Sequence, residues 1–238
     1  MQKGLIIKKV TNTYYIKSEN NIYTCVARGK FKLEEITPTV GDMILFNVTD
    51  EEKKEAVIEN ILDRENFIRR PKCANISMIL LIISSKLPKP DLLMLDKQLA
   101  FSEFMNIKPV IVVNKIDLDL NIAMKIKDEY SKIGYDVILT NALTGEGVKD
   151  IVEKFENKDK SNSQKPFIVA LSGNSGVGKS SLINSFFNKD VSMSGEISNR
   201  NKRGKNTTTI TNLYEIDTDV YLVDTPRIFD FWHWWNKL

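Results

Sequence analysis

Phe167-Ile168-Val169-Ala170-Leu171-Ser172-Gly173-Asn174-Ser175-Gly176-Val177-Gly178-Lys179-Ser180-Ser181-Leu182-Ile183 is the stretch that decides the fold. It runs from an apolar segment of strand character, through GxxxxGKS, into a segment with apolar residues at helical spacing (Leu182, Ile183, Phe186, Phe187). Glycines at 173, 176 and 178 let successive backbone N–H groups turn inward around phosphate oxygens. The following helix adds its positive N-terminal end. Lys179 is expected to reach the β- and γ-phosphates, and the Ser180 hydroxyl to hold Mg²⁺. Gly173, Asn174, Ser175, Gly176, Val177, Gly178, Lys179, Ser180 and Ser181 form the expected phosphate-binding set.

Upstream, after the apolar run Val110–Val113, stands Asn114-Lys115-Ile116-Asp117. A carboxylate at 117 can accept hydrogen bonds from both the N1–H and the exocyclic amine of guanine. Adenine has no such donor pair and would leave the carboxylate unpaired. The aliphatic stem of Lys115 can lie along the base plane, and Asn114 can tie this loop to the phosphate loop. Asn141 and Ala142, after the next strand, sit where GTPases place a weaker backbone contact to the guanine O6. In an ordinary small GTPase the phosphate loop precedes the base-reading motif. Here the order is reversed, which points to a circularly permuted P-loop GTPase domain.

Residues 1 to about 70 read differently. Short runs at 4–7, 14–16, 21–26, 43–48 and 55–62 alternate with polar and turn residues, and five short strands in that length fit a small barrel or a meander sheet. From Asn75 the rhythm becomes strand, helix, strand, helix. Strands are expected at 76–83, 109–113, 136–139 and 167–171, and helices at 92–105, 123–133 and 148–155. This alternation implies a mostly parallel sheet with helices on both faces. The division expected is 1–68 for the barrel, 69–226 for the GTPase domain and 227–238 for an anomalous tail.

The segment 189–209 contains Gly204-Lys205-Asn206-Thr207-Thr208-Thr209, and one of Thr207, Thr208 and Thr209, with Thr208 as the candidate carried forward, is expected to complete the Mg²⁺ shell and sense the γ-phosphate. Its neighbours Arg200, Lys202, Arg203 and Lys205 make a local basic cluster suited to an RNA backbone or to a solvated loop. Tyr221-Leu222-Val223 leads into Asp224-Thr225-Pro226, where Asp224 is expected to contact Mg²⁺ through water. Lys179, Thr208 and Asp224 are the candidate catalytic residues; Ser180, Thr208 and Asp224 are the candidate metal ligands. The glycine usual after Asp-Thr-Pro, whose N–H would meet the γ-phosphate, is replaced by Arg227. No glutamine stands where many GTPases orient the attacking water, so slow intrinsic hydrolysis and dependence on a partner are expected. The single histidine, His233, lies in the tail and is not assigned a catalytic role.

The formal net charge of +3 over 238 residues does not announce a nucleic-acid binder, so any such surface must come from local clustering. Cys25 and Cys73 fit no metal spacing and read as reduced thiols. No secretory signal is legible, and the run 76–83 is too short to cross a bilayer. A cytoplasmic, monomeric protein without a membrane partner is expected.

The order NKID, GNSGVGKSSLIN, GKNTTT, DTP resembles the RsgA (YjeQ/YloQ) family over nearly the whole chain, including the barrel region and the junction Arg70-Pro71-Lys72-Cys73-Ala74-Asn75. The resemblance implies an N-terminal OB-fold, GTP/GDP and Mg²⁺ as cofactors, RNA contacts from the barrel, and a role in late maturation of the small (30S) ribosomal subunit, with hydrolysis stimulated by that subunit and its rRNA. Members of the family continue into a zinc-binding module. No Cys/His cluster of that kind stands in this chain, and a sheet edge left uncovered after Asp224 is expected. The ending Arg227-Ile228-Phe229-Asp230-Phe231-Trp232-His233-Trp234-Trp235 is unlike a family tail. Read one base out of phase, a set of synonymous codons for it restores a glycine after Asp-Thr-Pro. A frameshifted, catalytically impaired guanine-nucleotide-binding fragment is therefore the second reading of function, and an aromatic tail that binds a partner groove or membrane surface is the other reading of the tail.

Overall fold

The computed structural model describes residues 1–29, 31, 36–69, 71–156, 165–187 and 211–224. Thr208 and its neighbours, Thr225, Pro226 and the tail lie outside the described residues, and Asp224 is described by its backbone alone. Thirteen strands and four helices are described in chain order. They are β1 (Gln2–Val10), β2 (Thr13–Ser18), β3 (Asn21–Ala27), β4 (Met43–Asp50), β5 (Glu55–Ile61), β6 (Phe67–Arg69), β7 (Lys72–Ala74), β8 (Met78–Ser84), α1 (Leu92–Phe104), β9 (Lys108–Asn114), α2 (Leu120–Lys132), β10 (Asp136–Leu139), α3 (Val148–Glu156), β11 (Phe167–Ser172), α4 (Lys179–Phe187), β12 (Asn212–Asp217) and β13 (Val220–Asp224).

The first five strands close on themselves in the order β1-β2-β3-β5-β4, and β4 returns to β1 through Gln2↔Phe46 to Leu5↔Met43. The β3–β5 pair is parallel and the others are antiparallel. Alternation explains the closure. Tyr14 and Ile16 on β2, Tyr23 and Cys25 on β3, Ile44 and Phe46 on β4, and Ala56 and Ile58 on β5 all turn into one buried interior. Tyr23 and Phe46 pack as a tilted aromatic pair with centroids 5.1 Å apart. This is a closed five-stranded barrel, with the strands where the alternation places them.

The second layer is a sheet in the order β10-β9-β8-β11-β13-β12, parallel throughout except for the β13–β12 hairpin. β8 is buried at every position, so it must be apolar on both faces. Ile79, Leu81 and Ile83 pack with α1 and α2; Met78, Leu80 and Ile82 pack with α3 and α4. Phe155 on α3 meets Phe186 on α4 edge to face at 5.8 Å. Helices α1 and α2 start on Asp91 and Asp119, whose carboxylates accept from Met94 and Ile122 N–H.

Two strand groups escape the sequence reading. The β6–β7 hairpin forms its own small sheet at the junction of barrel and GTPase layer. More consequentially, β12 joins β13 and also pairs antiparallel with β1, at Lys8↔Asn212. The barrel and the GTPase layer thereby form one continuous eleven-stranded sheet among the described residues. The edge of β13 away from β11 is paired with β12, and β12 is met in turn by the barrel.

Candidate nucleotide site

The parallel strands β8, β9 and β11 end on the same side of the sheet, so the loops that follow them converge there. Asn114 closes β9 and is 1 % exposed. Its Nδ2 donates to Val177 O inside the phosphate loop at 2.9 Å. Its Oδ1 accepts from Thr140 Oγ1 at 3.1 Å and from Ala142 N–H at 3.0 Å. One amide therefore joins three loops that are distant in sequence. Lys115 lies in the left-handed region at φ 60. Its Nζ donates to Gly176 O at 2.6 Å and to Leu87 O at 2.7 Å. Ser85 holds the same turn from beneath: its N–H donates to Asn114 O and its Oγ to Lys115 O at 2.6 Å. Ile116 is buried, while Asp117 is exposed and its carboxylate has no described partner.

The phosphate loop follows β11. Gly173 has φ 149, and a Cβ there would stand 2.1 Å from Ile82 O. Gly178 has φ 100, and a Cβ there would stand 2.1 Å from Asn114 Nδ2. The second glycine thus makes room for the side chain that bridges the two loops, a requirement invisible in either motif alone. Asn174, Ser175 and Gly176 are exposed along the rim, and Val177 is buried beneath it. Lys179 Nζ donates to Gly173 O at 2.9 Å and to Asn174 O at 2.6 Å. Its half-buried position pushes the ammonium below its usual range by desolvation. Ser180 is exposed and Ser181 half-buried on the first turn of α4.

The third loop is an Asx-type turn after β10. Asn141 Oδ1 accepts from Leu143 N–H at 3.0 Å. Because Ala142 N–H is donated to Asn114, a contact from it to a base oxygen has to be shared with that bond. Sequence reasoning missed Ser85, and it missed the buried pair in which Gln98 Nε2 donates to Ser172 Oγ at 3.1 Å, fixing α1 to the start of the phosphate loop. Asp224 ends β13 in register with Asn212. Thr208 is outside the described residues, so of the three candidate catalytic residues only Lys179 is described with its side chain. Among the described residues no group of three His, Cys, Asp or Glu could hold a metal ion. No described helix is long and apolar enough to cross a membrane.

Comparisons with known proteins agree with this geometry. The RsgA GTPase family model matches residues 61–232 and the RsgA N-terminal domain model matches residues 3–58. The chain is 38 % identical over 233 residues to a Small ribosomal subunit biogenesis GTPase RsgA of Ruminiclostridium cellulolyticum, covering 97 % of this chain and 73 % of the relative. A protein of the same name from Alkaliphilus metalliredigens is 34 % identical over 227 residues, covering 95 % of this chain and 75 % of the relative. Among solved structures, YjeQ from Thermotoga maritima superposes with a TM-score of 0.75 at 30 % identity, covering 94 % of this chain and 74 % of that one. YloQ, described as a circularly permuted GTPase, gives 0.71 at 28 % identity, covering 95 % and 71 %. The loops clasped by Asn114, the barrel ahead of them and these matches have one reading: the chain belongs to the RsgA GTPase family.

Proposed function

We propose that this protein binds GTP between the Asn114–Asp117 loop and the Gly173–Ser181 loop, hydrolyses it, and serves maturation of the small ribosomal subunit. The observation that carries the reading is the double bridge from the base-reading loop to the phosphate loop, Asn114 to Val177 O and Lys115 to Gly176 O. Asp117, exposed and unpartnered, selects guanine. The glycine cradle leaves close access for phosphate oxygens, and Lys179 exchanges its carbonyl partners for the β- and γ-phosphates, an interaction that favours its charged form. The described donors fit Mg²⁺: Ser180 presents a hydroxyl at a helix start and Asp224 ends the neighbouring strand, and Thr208, outside the described residues, would be the third oxygen donor. Bound there, the ion supplies charge neutralisation on the β- and γ-phosphates. The chain's own part is to hold the triphosphate in line and to keep guanine in register.

The relatives' names point to the small ribosomal subunit, and the family's barrel is the expected site of rRNA contact, within a division at 1–68, 69–226 and 227–238. Cytoplasmic location and a monomeric state belong to the same proposal. The test is GTP turnover measured alone and with purified small subunits. Turnover that rises at least about tenfold with subunits supports the assignment; unchanged turnover refutes the subunit as stimulator. Asp117→Asn shifts preference from GTP towards XTP, measured by competition binding; unaltered guanine preference overturns the base-reading assignment.

A further inference from the structure

We propose that Lys17 and Glu215 are positioning residues through which the barrel and the nucleotide site set each other's geometry. The inference rests on the GTP-binding reading above. One row of the continuous sheet runs from Asp224 on β13 to Asn212 on β12, to Lys8 on β1, to Tyr15 on β2. Adjacent strands stand about 4.8 Å apart, so the barrel strand lies about 10 Å from the Asp224 backbone. A side-chain route runs beside this row. Lys17 Nζ on β2 meets Glu215 Oε2 on β12 at 3.0 Å, and the Glu215 carboxylate also meets the Tyr221 hydroxyl on β13. Tyr221 pairs with Ile168 on β11, the strand that delivers the phosphate loop.

Two further features favour transmission across these contacts. Asn212 Oδ1, in the row itself, is buried and has no hydrogen-bond partner. A buried acceptor left unpaired costs free energy, which a displacement of the hairpin that brings a donor to it would recover. A second attachment of the barrel is made through side-chain amides. Asn66 pairs with both backbone groups of Ile76 at 2.8 and 2.9 Å, and Asn75 Nδ2 donates to Gly41 O at 2.9 Å. With the barrel also held there, a shift of β12–β13 at Asp224 is passed to β1 through the Lys8↔Asn212 pairing. By linkage, whatever the barrel binds biases the hairpin in return.

Amide hydrogen exchange on the full chain, with GDP and with a non-hydrolysable GTP analogue, tests this. The amides of Leu5–Lys9 in β1 are expected to exchange at rates differing by about fivefold or more between the two nucleotides. Lys17→Glu is expected to reduce that difference at least by half, and Lys17→Glu with Glu215→Lys to restore it, a rescue that loss of fold cannot produce. If amides 173–180 respond to nucleotide and β1 does not, the relay is overturned. If β1 responds equally in Lys17→Glu, the ion pair is overturned as its carrier. If amides 173–180 respond to neither nucleotide, the nucleotide reading itself fails and the relay falls with it.

Discussion

Asn114 is the residue on which the site turns, because its side-chain amide ties its own loop to two others, donating to Val177 O and accepting from Thr140 and Ala142. Gly178 is its counterpart. Alanine there would meet Asn114 Nδ2 and would hold a left-handed φ, which costs an L-residue about 1–2 kcal/mol before the clash is counted. Gly178→Ala is expected to weaken guanine-nucleotide binding by about tenfold or more, read by titration with a fluorescent GDP analogue; affinity within twofold of the parent would contradict the bridging role. Both motifs were legible in the sequence because their chemistry is local: glycine spacing, a lysine and a carboxylate speak for themselves beside a strand end. Ser85 was not legible. A serine that clamps Lys115 O is the same letter as a serine in water, and only the approach of β8 to β9 distinguishes them.

The elements with strict alternation, β2 to β5, could be read because one face is buried and the other wet. β12 could not, since none of its positions after Leu213 is buried and its role is set by a partner 204 positions earlier (Lys8↔Asn212). The β6–β7 hairpin has three residues a side and no period to read. Its importance is in the lock beside it. Arg64 grips the fully buried Asp42 through two hydrogen bonds of 2.7 and 2.8 Å and reaches Thr37 O at 3.0 Å. Burial pushes the Asp42 carboxyl above its ordinary 3.8 against the pull of Arg64. Removing the guanidinium leaves a buried carboxylate with the Thr39 N–H but without its charged partner, so Arg64→Ala is expected to cost about 3–5 kcal/mol in urea unfolding at neutral pH. The folded variant then holds a proton that the unfolded chain releases above 3.8, so stability falls as pH rises from there. The penalty is therefore smaller at pH 5 than at pH 7. An equal penalty at both would show that Asp42 is not the group left exposed to the loss.

At the scale of the whole molecule, Cys25 and Cys73 are free and buried, one in the barrel and one in the hairpin beside it. Burial pushes both thiols up from 9.0 to about 12. The folded protein keeps both protons through this interval while the unfolded chain loses them, so stability declines as pH rises from 9.0 towards 12. A thiol reagent at pH 8 is expected to modify neither cysteine until denaturant is added; modification of the native protein would place one of them at the surface. The continuous sheet has a last consequence, for chain growth. The Lys8–Val10 end of β1 leaves the translating ribosome long before its companion Asn212, which follows 204 residues later. At about 5–20 residues per second that interval lasts about 10–40 s. During it the exposed Lys8, at the position that will face Asn212, puts a charge on the bare rim, which disfavours pairing with a wrong neighbour.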